Sequence, residues 1–306
     1  MFEIILFFIN KRMNLKEYIH SKRSSLSDSS VTTYASILKN LYKRVFGDDT
    51  EMDFKKFDQV DKILKHLEDM PPNKRKTILS SLVTITDSPK YREAMLEDVK
   101  AYNEEIHKQE KTPEQEASWV STHQVKEIWD ELKRNTDLIY KKKDLKPSDL
   151  QEIQQFVILS LLGAIFIPPR RSKDYVDFFI KDINREKDNY LDGSKMVFNS
   201  YKTHKTYGKQ EVVIPKPLAS ILKKWISVNP TKTLLFDTFM NKLTNVKLNQ
   251  RINKIFDGKK VGVNQLRHTY LTDKFGHTIN ENKKIDDTMT EMGSSKNMLS
   301  TYVKKD

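Results

Sequence analysis

Cysteine is absent from the chain. That excludes disulfide frameworks, cysteine-ligated zinc and thiol nucleophiles. It suits a reducing interior, so an intracellular rather than secreted protein is expected. No cluster of cysteine and histidine ligands stands in the sequence, and no metal or other cofactor is expected. Long apolar runs are missing too. The run Ile4 to Ile9, in MFEIILFFINKR, is too short for a bilayer, which takes about 20 apolar residues. It has no basic segment ahead of it and no small-residue cleavage site behind it, so it does not read as a signal peptide. Two readings stay open for residues 1–13: a buried first element, or an extension upstream of a start at Met13. There is no internal repeat and no low-complexity tract.

Positive charge is what the chain has in excess. Lys and Arg total 54 against 42 Asp and Glu, a formal net charge of +12. Such a balance favours polyanionic partners, nucleic acid first and an anionic membrane surface second, although a merely solvated basic surface gives the same total. Hydrophobic residues make up 37%, with 15 Phe and 12 Tyr, enough for real cores and against global disorder. A length of 306 residues accommodates two ordinary domains.

Residues 14–108 read as helices. Ser29 or Ser30 caps a helix with Val31, Tyr34, Leu38, Leu41 and Val45 at helical spacing, ended by Gly47. Val60, Ile63, Leu64 and Leu67 mark a second, stopped by Pro71-Pro72, and Ile78, Leu79, Leu82 and Val83 a third. Ser88-Pro89 is a cap with a first-turn proline, opening a fourth with Tyr91, Met95, Val99, Tyr102 and Ile106 on one face. Residues 109–118, QEKTPEQEAS, are the best linker. The second domain, 119–306, begins with Trp119-Val120-Ser121 and a helix through Val125, Ile128 and Trp129. A helix from near Ser148 is apolar nearly all round towards Gly163 and is expected to be buried.

Pro168-Pro169 stops that helix and presents Arg170-Arg171 at a turn. Asp174 follows, then an apolar helical run to Asp182-Ile183. MVFNSY (196–201) and EVVIP (211–215) flank a polar loop, the pattern of a β-hairpin, and the loop carries Lys202 and Lys205. Helices are expected at 217–226 and 243–256. The last stretch reads VGVNQLRHTYLTDKFG from Val261, then a polar insert, then IDDTMTEMGSSKNMLSTYVKKD. It places Asn264, Arg267 and His268 on a helix, a Met-Gly-Ser-Ser turn at 292–295, and Tyr302 near the end, over two or three helices. The fold class is mainly α with a small β-hairpin or sheet.

In this order, Arg171 with Asp174 three residues on, the hairpin lysine, Leu266-Arg267-His268, Gly293-Ser294-Ser295 and Tyr302 resemble the signature of the tyrosine recombinases, the phage-type integrases. Two positions depart from it. Asn264 stands where the family's His-x-x-Arg box has its histidine, and Ser294 where its turn has histidine or tryptophan. The resemblance runs from residue 14 to the end, with most of its weight from 119. It implies a helical core-binding domain (14–108) that clamps DNA, whose first long helix opens like the Ser-Ser-Val-Thr-Thr-Tyr run Ser29–Tyr34, and a catalytic domain behind it. It implies double-stranded DNA as partner, a homo-oligomer (a tetramer) on that DNA, and no membrane. A Lys-, Asn- and Ile-heavy composition fits an AT-rich viral or mobile element, such as a virophage or another large DNA virus.

The chemistry explains the residue types. The non-bridging oxygens of a phosphodiester repel an attacking nucleophile. A guanidinium bridges both through paired hydrogen bonds and stays charged. On the resemblance, Arg171 (in preference to Arg170) and Arg267 hold the phosphate and stabilise its transition state. Tyr302 is the nucleophile, with Tyr270 and Tyr207 as fallbacks. Lys202, with Lys205 in reserve, protonates the 5′-oxygen that leaves. Asp174 orients the arginine side, Asn264 and Ser294 take the places of the two missing rings, and His268 is expected in the core or behind the site. Strands are then cut and rejoined through a 3′-phosphotyrosyl bond without ATP. Two other functions fit the same resemblance: a DNA-binding protein that has lost strand cleavage, and a type IB topoisomerase.

Overall fold

A computed structural model describes residues 14–47 and 52–304. Both readings offered for residues 1–13 lie outside the described residues. The chain divides into two compact units, 1–110 and 111–306. The mainly helical class with one small sheet, expected from the sequence, is the class observed.

In the first unit, Asn14 opens α1 (Leu15–Lys22) with a capping box. Its Oδ1 accepts the Glu17 N–H at 3.1 Å, and the Glu17 carboxylate accepts the Asn14 N–H at 3.0 Å. α2 (Asp28–Phe46) begins earlier than expected, capped by Ser27 instead of Ser29 or Ser30. The Ser30 N–H donates to Ser27 Oγ at 3.3 Å, and the hydroxyls of Ser29 and Ser30 both lie 3.0 Å from the same oxygen. Asp28 then falls in the first turn, at the positive end of the helix dipole. A 3₁₀ turn (Phe54–Asp58), α3 (Val60–Leu67), α4 (Pro72–Thr86) and α5 (Pro89–His107) follow. Ile19, Leu38, Phe57, Ile63, Leu79 and Tyr91 form the centre of the core. α4 and α5 are tied by Arg75, whose Nε and Nη2 hold the buried Asp98 carboxylate at 2.7 to 3.1 Å. The apolar face expected along α5 fades towards its end. Tyr91 is buried, Met95 and Val99 are half-buried, and Ile106 is exposed. α4 has 15 residues against 19 in α5, so the last turn of α5 outruns its partner.

The second unit begins within the expected linker. Residues 113–118 are helical, not loop: Thr112 and Gln115 form a capping box that starts α6 (Pro113–Ser118). Ser121 and Gln124 do the same for α7 (Thr122–Ile139). α8 (Pro147–Leu162) runs through the core, buried along most of its length as its all-round apolar sequence requires. It ends at Gly163, ahead of Pro168-Pro169, where the backbone passes close to α7: a Cβ on Gly163 would lie 2.9 Å from Val125 Cγ1. Arg170 and Arg171 follow, then α9 (Ser172–Val176). The apolar run after Asp174 is helical only as far as Val176, not to Asp182. It enters β1 (Phe178–Phe179), where the Phe178 carbonyl accepts the Leu234 N–H at 2.8 Å.

The sheet has the order β1, β2 (Asn189–Asp192), β3 (Lys195–Phe198), β4 (Gln210–Val213). β1 pairs parallel with β2, and the other pairs are antiparallel. The expected hairpin is β3–β4, in register Phe198↔Gln210 and Lys195↔Val213. Its loop holds a helical turn, α10 (His204–Tyr207). β2 is a strand that the sequence reading missed. It joins β3 through Gly193, whose φ of 57° suits a tight hairpin turn. α11 (Lys216–Val228) packs on α8, and Trp225 stacks on Phe236 at 5.7 Å. α12 (Asn245–Ile255) comes next. α13 (Val263–Glu291) absorbs the polar insert into one 29-residue helix, the first of the two or three helices expected over this stretch. Gly276 does not interrupt it, and no proline does. A 3₁₀ turn and α14 (Leu299–Tyr302) close the described chain.

Candidate active site

The turn between α8 and α9 separates the two arginines. Arg170 Nε donates to Asp174 Oδ2 at 2.7 Å, and its guanidinium lies 4.0 Å over the Phe198 ring and 5.3 Å over that of Tyr201. It is held on both sides, by a carboxylate and by aromatic faces. Arg171 is the residue before α9 and is half-buried. Among the described residues its side chain has no ion-pair or hydrogen-bond partner. Asp174 is itself buried, and burial holds its carboxyl above the usual aspartate range against the opposing pull of Arg170, Arg171 and Arg267. Three guanidiniums therefore lie within electrostatic reach of one carboxylate. Among the described residues Asp174 Oδ1 has no hydrogen-bond partner.

Lys202 lies just past β3, at the start of the β3–β4 loop, exposed and without a partner among the described residues. Its backbone base is built by two buried amides. Asn189, on β2 and 0% exposed, uses its whole side chain. Its Oδ1 accepts the N–H groups of Asn199 at 2.9 Å and Ser200 at 2.7 Å. Its Nδ2 donates to the carbonyls of Ser200 at 2.8 Å and Asp174 at 3.1 Å. Asn199 Nδ2 in turn donates to the Arg185 and Asp188 carbonyls at 2.8 and 2.9 Å. Tyr201 closes the loop, its hydroxyl donating to the Gly208 carbonyl at 2.7 Å. Lys205 is exposed on α10, and so is Tyr207. Sequence reasoning did not find Asn189. The Asp192-Gly193 pair after a short β-rich run was the available signal for its strand.

Arg267 stands in the first turns of α13, whose start is fixed from outside. Gly262 has no side chain to cap it, and Asn249 of α12 supplies the cap, its Oδ1 accepting the Val263 N–H at 2.9 Å. On the face opposite Arg267, the buried Thr269 hydroxyl donates to the Val120 carbonyl at 2.8 Å, and Gln265 meets Ser118 Oγ at 3.4 Å. Two residues along a helix turn the side chain by about 200°, so these contacts hold the back of the turn that projects Arg267. Arg267 Nη1 lies 3.5 Å from Asn264 Oδ1, at the limit of a hydrogen bond. His268 is exposed, not in the core: a step of about 100° from Arg267 carries it to the solvent side of the helix.

Gly293 ends α13. At φ 68° it takes the left-handed conformation, and the N–H of Ser294 returns to the Met289 carbonyl at 2.8 Å. The Met-Gly-Ser-Ser stretch is thus a helix terminus, with Ser294 half-buried. Tyr302 is 55% exposed at the end of α14. Arg171, Asp174 and Arg267 are drawn together, and the Lys202 loop is tied to Asp174. Among the described residues no side-chain hydrogen bond or ion pair joins Lys202, Ser294 or Tyr302 to that cluster.

No family model matches the chain, and no curated protein sequence matches it. Among solved structures it is similar to two tyrosine recombinases. One is the crystal structure of XerA recombinase, 12% identical over 86% of this chain and 82% of that one, with a TM-score of 0.33. The other is a lambda integrase dimer bound to a COC′ core site, 13% identical over 90% of this chain and 80% of that one, with a TM-score of 0.41.

Chemically, the arrangement suits an anionic oxygen cluster. Arg171 and Arg267 carry donors that the protein leaves unused, while Arg170 is already committed. A guanidinium whose neighbouring carboxylate is already bonded to another arginine keeps its paired donors for an anion.

Proposed function

We propose that this chain is a site-specific DNA recombinase or integrase that cuts and rejoins strands through a 3′-phosphotyrosyl intermediate. The observation that carries the reading is the division of labour around Asp174. Arg170 neutralises and packs the carboxylate, which leaves Arg171 and Arg267 to bridge the non-bridging oxygens of the scissile phosphate. Tyr302 Oη gives its proton to solvent and forms the bond to phosphorus. The bond to the 5′-oxygen breaks, and Lys202 Nζ gives that oxygen its proton. Asn264 assists from the side of Arg267, and Ser294 takes the place of a second phosphate contact. The helical first unit contributes phosphate contacts along the duplex through its lysines and arginines, and the working assembly is a homo-oligomer, a tetramer, on DNA.

A specific observation favours one alternative, a DNA-binding protein on the same fold without cleavage. Asn264 cannot carry a proton between groups, and Ser294 sits in a helix terminus that the chain needs in any case. A suicide DNA substrate separates the two, using the element's own terminal repeats. The wild type is expected to accumulate covalent adduct and Arg267→Ala to form none. Loss of general acid–base help costs about 10²–10⁴-fold, so the wild type is slow but active, and Asn264→His leaves cleavage unchanged or raises it. Adduct no higher in the wild type than in Arg267→Ala leaves only the binding protein.

A further inference from the structure

We infer that Asn189 is a positioning residue for proton transfer, setting where Lys202 stands relative to the Arg171–Asp174 turn. The inference rests on the reading of Lys202 as general acid. Its basis is geometric. One buried amide holds two separate parts of the site, the backbone of Asp174 on α9 and the backbone of Asn199 and Ser200 just before Lys202. Among the described residues no other side chain hydrogen-bonds to both of these backbones. An amide is the one neutral group of this size that donates twice and accepts twice, and Asn189 makes all four bonds. Fully buried, it has no water to replace a lost partner.

The surroundings point the same way. Phe198 and Tyr201, on either side of Asn199-Ser200, both lie under the Arg170 guanidinium, and Arg170 is bonded to Asp174. The Lys202 loop therefore rests on the arginine turn through a side-chain path and through the amide. Tyr201 also closes the loop at its far end on Gly208. Lys202 itself is free, as a group that must reach an incoming leaving oxygen has to be. A lysine on a long flexible stem gains the right geometry only from a fixed backbone, and a misplacement of about 1 Å costs on the order of 10²-fold in rate.

The test separates positioning of an acid from general support. When tyrosine attacks ordinary DNA, the P–O5′ bond breaks and the 5′-oxygen takes a proton from Lys202. With sulfur in the 5′-bridging position, the P–S bond breaks and a thiolate leaves without needing that proton. Cleavage of both substrates is measured under single-turnover conditions for full-length wild type, Lys202→Ala, Asn189→Ala and Tyr201→Phe. Asn189→Ala should slow cleavage of ordinary DNA on the order of 10²-fold and recover most of it on the sulfur substrate, as Lys202→Ala does. Tyr201→Phe removes one hydroxyl from the loop and keeps the ring, so it should show a smaller loss with the same recovery, and it carries the comparison if Asn189→Ala does not fold. Equal slowing on both substrates, or no slowing, in the Asn189 and Tyr201 variants overturns the inference. If Lys202→Ala is not rescued, the general-acid reading fails first, and the inference fails with it.

Discussion

At the residue scale, the two neighbouring arginines give the sharpest contrast. Sequence spacing places Arg171 three residues before Asp174, and nothing in the sequence says that Arg170 is the one bonded to it. That depends on the curl of α9 and on Phe198 and Tyr201 arriving from a strand some thirty residues on, a long-range fact that local spacing does not carry. Arg170→Ala should destabilise the second unit by about 3 kcal/mol, because it strands a buried carboxylate. Arg171→Ala should leave the melting temperature unchanged and abolish adduct formation. The pH dependence follows from the raised carboxyl of Asp174. A raised carboxyl binds its proton more tightly in the folded chain than in the unfolded one. Stability on this account falls as pH rises through the folded value and recovers on acidification towards the ordinary aspartate value of about 3.9. Without Arg170 the carboxyl rises further, so the deficit of Arg170→Ala is greatest at neutral pH and shrinks as pH falls. Urea melts across that range check it, and a deficit that does not vary with pH contradicts it.

At the scale of elements, helical periodicity made most of the helices readable, because each buries one apolar stripe. The elements it hid are those without a stripe. The second half of α13 is polar nearly all round, so nothing in its spacing announces a helix. β1 is two residues long and β2 four, too short for a pattern to show. The end of α8 was placed by its prolines, yet it is set by the close passage of Gly163 over α7. Gly163 has an ordinary φ, so what it supplies is room and not backbone freedom: a Cβ there would meet Leu159 O at 2.6 Å and Val125 Cγ1 at 2.9 Å. Gly163→Ala should therefore cost about 1–3 kcal/mol, the usual range for overpacking, seen as a lower urea midpoint with an unchanged slope. A midpoint equal to wild type would show that α7 and α8 can part without penalty.

At the scale of the whole molecule, the order of chemical groups was legible and their convergence was not. A sequence can present arginine, lysine, arginine and tyrosine in a given order. Only the folded second unit brings Arg171 and Arg267 within electrostatic reach of one carboxylate and ties the Lys202 loop to the Asp174 backbone. On this reading Tyr302 is the group that takes the DNA, and among the described residues no side-chain hydrogen bond or ion pair ties it to that cluster. Mapping the covalent linkage tests this most directly. Wild-type protein is trapped on a suicide substrate, digested, and the peptide carrying the nucleotide is identified by mass spectrometry, with Tyr302→Phe in parallel. A nucleotide in 3′-phosphotyrosyl linkage to Tyr302 is expected in the wild type and no adduct from Tyr302→Phe, which still binds the DNA. Label on Tyr207 or Tyr270, or full adduct from Tyr302→Phe, contradicts it.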